Sequence, residues 1–93
     1  MSQKWESFGA YVASSRTERG LSVRQVAKHT GLAPSTVMRT EDRPYQTPTP
    51  DVFLALVDAL DLDLKTAVNL VESYKKLWQR FIADREDDAR RAP

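Results

Sequence analysis

Residues 20–41 read GLSVRQVAKHTGLAPSTVMRTE, and the spacing of small, apolar and turn residues in this stretch decides the fold. Gly20 is a natural left-handed stop for a preceding helix. Ser22 can cap a short helix that turns Val26 and Ala27 inward, and Gly31 closes it. Pro34 suits the first turn of a further helix, where its missing donor is not needed, so that helix is predicted from Pro34 to about Glu41 with Val37 inward. Ala27 must be small because the two helices cross closely there. Four residues on, Gly31 supplies the positive φ of the corner. Val26, Leu32 and Val37 then seal the interior between the pair.

The pattern extends in both directions. Upstream, Ser2 is expected to cap a first helix with Trp5, Phe8 and Val12 at spacings of three and four, ending before Gly20. Downstream, proline and threonine dominate residues 43–50, which read as a surface loop. Thr49, Pro50 and Asp51 restart a helix in the order of capping hydroxyl, first-turn proline and acid near the positive end of the dipole. Val52, Phe53, Leu56, Val57 and Leu60 fill its buried stripe. Asp61 to Asp63 interrupt it, and Asp63 is expected to cap a single final helix from Leu64 to about Arg85, with a frayed tail from about residue 86. No four-residue alternation argues for a strand. The expected class is all-α, a compact five-helix fold: four helices in a helix-turn-helix domain over residues 1–62, and residues 63–93 forming an extended C-terminal helix that packs and dimerises.

Composition removes several function classes. The 93 residues hold no cysteine and a single histidine, so disulfides, thiolate metal ligands and a cysteine nucleophile are excluded. His29 alone cannot supply a two-histidine zinc site, and no glycine-rich phosphate loop is present. It is read as a solvent-facing helix residue. No catalytic residue, metal or cofactor is expected, and the chain is not read as an enzyme. Its longest apolar run, Val52 to Val57, falls far short of the ~20 residues that span a bilayer. The expected location is the cytoplasm, on the nucleoid. Fourteen basic side chains nearly balance 13 acidic ones, but residues 1–50 hold seven bases against four acids and residues 51–93 seven against nine. A polyanion is therefore drawn to the first half.

Two helices joined by so short a turn form a helix-turn-helix, whose second helix can lie in the major groove of DNA while the first braces it. The run Phe8-Gly9, Arg16, Gly20-Leu21-Ser22, Val26-Ala27, Gly31-Leu32, Ser35-Thr36-Val37, Glu41, Pro48-Thr49-Pro50 and Leu56 to Leu60 resembles the Cro and phage-repressor family of helix-turn-helix regulators, also called the xenobiotic-response-element family. The resemblance implies binding of double-stranded operator DNA, usually as a homodimer. It also implies base reading by Ser35, Thr36 and Arg39, with Pro34 at the helix entrance. Arg39 can make a bidentate contact to a guanine edge, and the hydroxyls can bond base edges or phosphates. Ser22, Arg24, Arg43, Tyr45, Gln46 and Thr47 would grip the sugar-phosphate backbone. Arg16 and Glu41 occupy the family positions of an inward ion pair. Val23 and Pro34 depart from the glutamines many relatives carry, so the bridge those make cannot form. Thr30 and Thr40 stand at places usually apolar, either loosening the core or bonding locally. Met38 is read as covering the domain surface.

The final segment carries a surplus of apolar side chains. Leu64, Ala67, Val71, Tyr74, Trp78, Phe81 and Arg85 follow the rhythm of a helix seam, and Leu77 and Ile82 widen it. Val71, Tyr74, Leu77, Trp78, Phe81 and Ile82 are therefore the expected dimer interface. The rival function is a protein-interaction adaptor or antitoxin, whose C-terminal helix docks a second protein partner.

Overall fold

The computed structural model describes residues 5–43 and 46–91, with side chains placed through residue 84. Its described residues form helices only: α1 (Phe8–Glu18), α2 (Val23–Thr30), α3 (Pro34–Asp42), α4 (Pro50–Ala59), α5 (Leu64–Asn69) and α6 (Glu72–Arg91). None of them is long and apolar enough to cross a membrane.

Local chemistry accounts for most of these boundaries. Gly20 takes φ +69°. Its amide donates to the Thr17 carbonyl while Leu21 N–H reaches back to Arg16, a left-handed closure that satisfies the last carbonyls of α1. Ser22 accepts from Gln25 N–H, and the Gln25 side chain accepts from Ser22 N–H, which closes a capping box at the start of α2. Gly31, at φ +76°, ends that helix. Thr49 caps α4 ahead of Pro50, and Asp63 caps α5 by accepting from both the amide and the hydroxyl of Thr66. Those bonds hold the Asp63 carboxyl below its ordinary pKa. Thr30 and Thr40 spend their hydroxyls locally, on the carbonyls of Val26, Ala27 and Thr36, so neither leaves a polar group unmet in the core.

Three expectations are corrected. Ser2 lies outside the described residues, and the cap of α1 is Ser7, whose side chain accepts from Ala10 N–H at 3.0 Å. Trp5 precedes the helix and packs its ring 4.2 Å from that of Tyr11. The single helix expected from Leu64 to about Arg85 is two helices. At the break, Leu70 and Val71 N–H donate to Ala67 and Val68, three residues back, which tightens the chain and turns it. Ala67 and Val68 before the turn and Val71 within it are all buried in the core. Finally, α6 continues to Arg91, where a frayed tail was expected from about residue 86. In sequence, Glu86 and Asp87 precede Arg90 and Arg91 by four residues, the order that favours helix.

The core runs through every helix from α1 to the start of α6. Val12, Val26, Val37, Leu56 and Leu60 are its most enclosed larger side chains. Phe8 stacks near Phe53, and Phe53 meets Tyr74 edge-on. Packing continues past Leu62 to Val71, so the first part of the C-terminal segment belongs to the globule. Tyr11 receives Asp63 N–H on its hydroxyl, and Tyr74 donates its own to the Pro48 carbonyl.

Two contacts fix α3 against α1. A Cβ at Gly9 would lie 2.3 Å from the Thr40 carbonyl oxygen, so only glycine lets α1 approach the end of α3 this closely. Two turns on, Arg16 donates through Nε and Nη2 to the two oxygens of Glu41 at 2.7 and 3.0 Å, and through Nη1 to the Leu21 carbonyl. The bond to Glu41 raises the Arg16 pKa further, so the cation persists at any working pH. The pair is largely sheltered, with 21% of the Arg16 and 9% of the Glu41 side chain exposed.

Gly9→Ala should destabilise the fold by about 1 to 3 kcal/mol through overpacking, although alanine is the better helix former. An unchanged or raised midpoint of urea unfolding would refute the close approach. Arg16→Ala should cost ~2 to 3 kcal/mol, somewhat below a fully buried pair because water reaches part of the guanidinium. Adding Glu41→Ala to that variant should cost little more, and additive losses in the double-mutant cycle would show that the two side chains do not act together.

Candidate nucleic-acid interface

With Val37 buried and Glu41 held by Arg16, the rotation of α3 about its axis is set. Pro34, Ser35, Met38, Arg39 and Asp42 then form its solvent face. Pro34 begins the helix and Ala33 precedes it without a side-chain cap. The N-terminal end of the face is therefore small and uncharged, while Arg39 stands one turn on. Asp42, at the far end, marks the side from which a polyanion is repelled.

The sequence-predicted residues fall into two groups around this face. Thr36, Arg39, Arg43, Gln46 and Thr47 line one cleft of about 120 Å³ between α3 and the loop leading to α4. Thr36 is half-buried and turned toward that loop, on the flank of the outward face rather than its centre. Tyr45 lies outside the described residues. On the other side, Arg24 lines a shallow cleft at the α2–α3 corner together with Pro34. Ser22 sits at the head of α2 with its oxygen and amide both engaged in the capping box, leaving the hydroxyl hydrogen to be offered outward.

Two residues join the site that the sequence reading placed elsewhere or passed over. Met38 is 52% exposed and stands between Pro34 and Arg39, so it is part of the outward face. Its spacing of three from Ser35 and four from Pro34 was the available signal. Lys28, one turn beyond Arg24, lines the same corner cleft. The arrangement is a narrow polar and thioether ridge between two cationic clefts. Such a ridge fits an edge of stacked bases, and the clefts fit the phosphate chains on either side.

The expected dimer residues divide differently. Val71 is buried in its own chain and belongs to the core, whereas half-buried Tyr74 packs on Phe53, bonds Pro48 and also lines an apolar groove beside Leu77, Trp78 and Phe81. Leu77, Trp78, Phe81 and Ile82 remain exposed on α6.

A family model described as a helix-turn-helix domain matches residues 7–69, from the cap of α1 to the end of α5. No curated protein matches the chain.

Proposed function

The chain belongs to the helix-turn-helix domain family, and from that membership we propose that it is a sequence-specific transcriptional regulator, a homodimeric repressor that reads an inverted-repeat operator in the cytoplasm. One observation supports this reading above others: the outward ridge of α3, with Ser35, Met38 and Arg39, lies between the Arg24–Lys28 and Arg43–Thr47 clefts. The ridge is as narrow as one helix, which the major groove admits. Arg39 is suited to guanine O6 and N7, Ser35 to a base edge or phosphate, and Met38 to the methyl group of thymine. Arg24, Lys28 and Arg43 would bind phosphates and hold the ridge in register. No step in this action makes or breaks a covalent bond.

A second reading, an interaction adaptor or antitoxin, draws on the exposed apolar side chains of α6. Salt separates the two. Phosphate contacts impose a steep fall of affinity with salt, whereas docking through apolar side chains does not.

Selection of bound sequences from random duplex DNA should recover a palindrome whose half-site centres lie about 34 to 36 Å apart, or a multiple of that. Recovery of no consensus would defeat the proposal. On the selected duplex, Arg39→Ala should cost ~1 to 3 kcal/mol and relax preference at one base pair per half-site. Arg43→Ala should instead weaken all sequences alike and flatten the salt slope by about one phosphate contact. Equal, sequence-blind losses from both variants would mean that α3 does not read bases.

A further inference from the structure

Among the described residues, the exposed large apolar side chains other than Met38 of α3 gather at one groove on the α4–α6 side. Leu54 of α4, Leu64 and Val68 of α5, and Leu77, Trp78 and Phe81 of α6 line it, enclosing about 510 Å³. None of its lining residues is shared with the clefts beside α3. Ile82, one turn beyond Trp78, continues the same face of α6. Apart from buried Val68, the exposures of these side chains and Ile82 run from 37% at Trp78 to 67% at Leu77.

Three features identify the occupant. The first is area. At their exposed fractions these side chains present roughly 600 Å² of apolar surface, most of the ~800 Å² that each partner buries in a stable interface. The second is shape. One helix both lines the groove and runs beyond it: α6 has 20 residues, roughly 30 Å of helix, and among its described side chains only those of the first turn pack in the core. A surface that carries ridge and groove together complements itself under a two-fold axis. The third is charge. On α4, exposed Asp51 and Asp58 stand three residues before and four after Leu54, on its face of the helix. On α6, Lys75 and Arg80 border the apolar stripe on its two sides. A helix like α6 laid across α4 of another copy would set Lys75 and Arg80 against Asp51 and Asp58, with the acid Asp84 also standing on the Leu77 flank of the stripe.

We propose that the α4–α5–α6 groove receives α6 of a second copy of this chain, and that the first chain's α6 enters the partner's groove in return. Phe81 and Ile82 of each chain then cover Leu54 and Leu64 of the other. This specifies how the homodimer of the proposed function is built and rests on that reading for its purpose, the joint presentation of two α3 helices. It differs from a simple pairing of each α6 with its mate, because Leu54 of α4 and Leu64 of α5 supply part of the contact.

The chain has no cysteine, so single cysteines report contacts without background. Leu54→Cys and Phe81→Cys, made in full-length chains of which one carries a size tag, should be mixed and oxidised. The expected product is predominantly the disulfide joining one variant to the other. A predominance of Phe81→Cys chains joined to each other would show helix-to-helix pairing outside the groove and overturn the proposal. Leu54→Arg, at an exposed position, should keep the helical circular dichroism of the parent and sediment as a monomer at micromolar concentration. A dimer surviving that change, or a parent chain that is itself monomeric, would also overturn it, the latter leaving the groove to a different protein. Neither readout involves DNA. A failed operator selection thus defeats the DNA reading with the cross-link standing, and a failed cross-link beside a palindromic operator defeats only the groove.

Discussion

The attachment of α3 to α1 is the constraint on which the rest of the molecule depends. A helix of nine residues has little stability of its own, and one that must face outward along most of its surface has few core contacts to hold it. Val37 supplies one buried side chain. The bidentate Arg16–Glu41 pair supplies direction, because a planar guanidinium bonded through two nitrogens resists rotation of its partner in a way a single contact does not. The same guanidinium bonds the Leu21 carbonyl, just past the end of α1. One side chain therefore sets the exit of α1 and the roll of α3. Gly9 sets the distance between them. Polar specificity here comes with little desolvation loss, since each charged atom is matched within hydrogen-bond reach.

The loop after α3 inherits this placement at one end and is tied down at the other. Gln46 N–H donates to the Arg43 carbonyl, and two residues on the Pro48 carbonyl accepts from Tyr74 of α6. Burial of the Tyr74 phenol raises its pKa, so it remains a donor across the physiological range. Phe53 lies between Phe8 and Tyr74, joining α1, α4 and α6 through tilted and edge-on rings. A displacement of α6 would therefore be felt at the loop that borders the cleft with Arg39 and Arg43. In the proposed regulator this couples dimer geometry to the spacing of two reading heads, through packed rings and a hydrogen bond rather than through any long-range effect.

How much of this was legible in the sequence follows from how local each cause is. Ser22, Gly31, Thr49 with Pro50, and Asp63 act within one turn of their own position, and their structural roles match their chemistry. The start of α1 was misplaced because both Ser2 and Ser7 satisfy the capping rule, and the choice depends on where the Trp5 ring packs, a contact with Tyr11 six residues away. The break at Leu70 carried no glycine or proline. Ala67, Val68 and Val71 share one face at helical spacing, so the apolar pattern runs through the break without marking it. With no such mark the apolar seam beginning at Leu64 was read as one stripe, although Ala67 and Val71 are buried in the chain's own core while Leu64 and, among the described side chains, Leu77, Trp78, Phe81 and Ile82 are exposed. The resemblance to repressor-like regulators located the ridge and the clefts. The roll of α3 then added Met38 and moved Thr36 to the flank, which no spacing within a single helix determines without knowing which face its neighbours cover.

The groove was invisible in sequence because Leu54, Leu64 and Leu77 lie on three separate helices. Its placement is nevertheless consistent with the charge division that was visible. The bases Arg24, Lys28, Arg39 and Arg43 all stand on the side of α2, α3 and the following loop, while exposed Asp51, Asp58, Asp61 and Asp63 surround α4 and the start of α5. A polyanion approaching such a molecule is attracted to one side and repelled from the other, so α3 meets it first. The acidic side would be a poor partner for DNA and, left alone, a poor partner for its own copy, since like charges face each other across a two-fold axis whenever identical patches meet. The proposed exchange of α6 avoids that conflict, because each acidic α4 then meets the Lys75 and Arg80 of the other chain instead of its own counterpart. In the proposed regulator the excess acid around α4 and α5 would thereby serve both ends, turning α3 toward DNA and making the docked α6 the favourable way for two copies to associate.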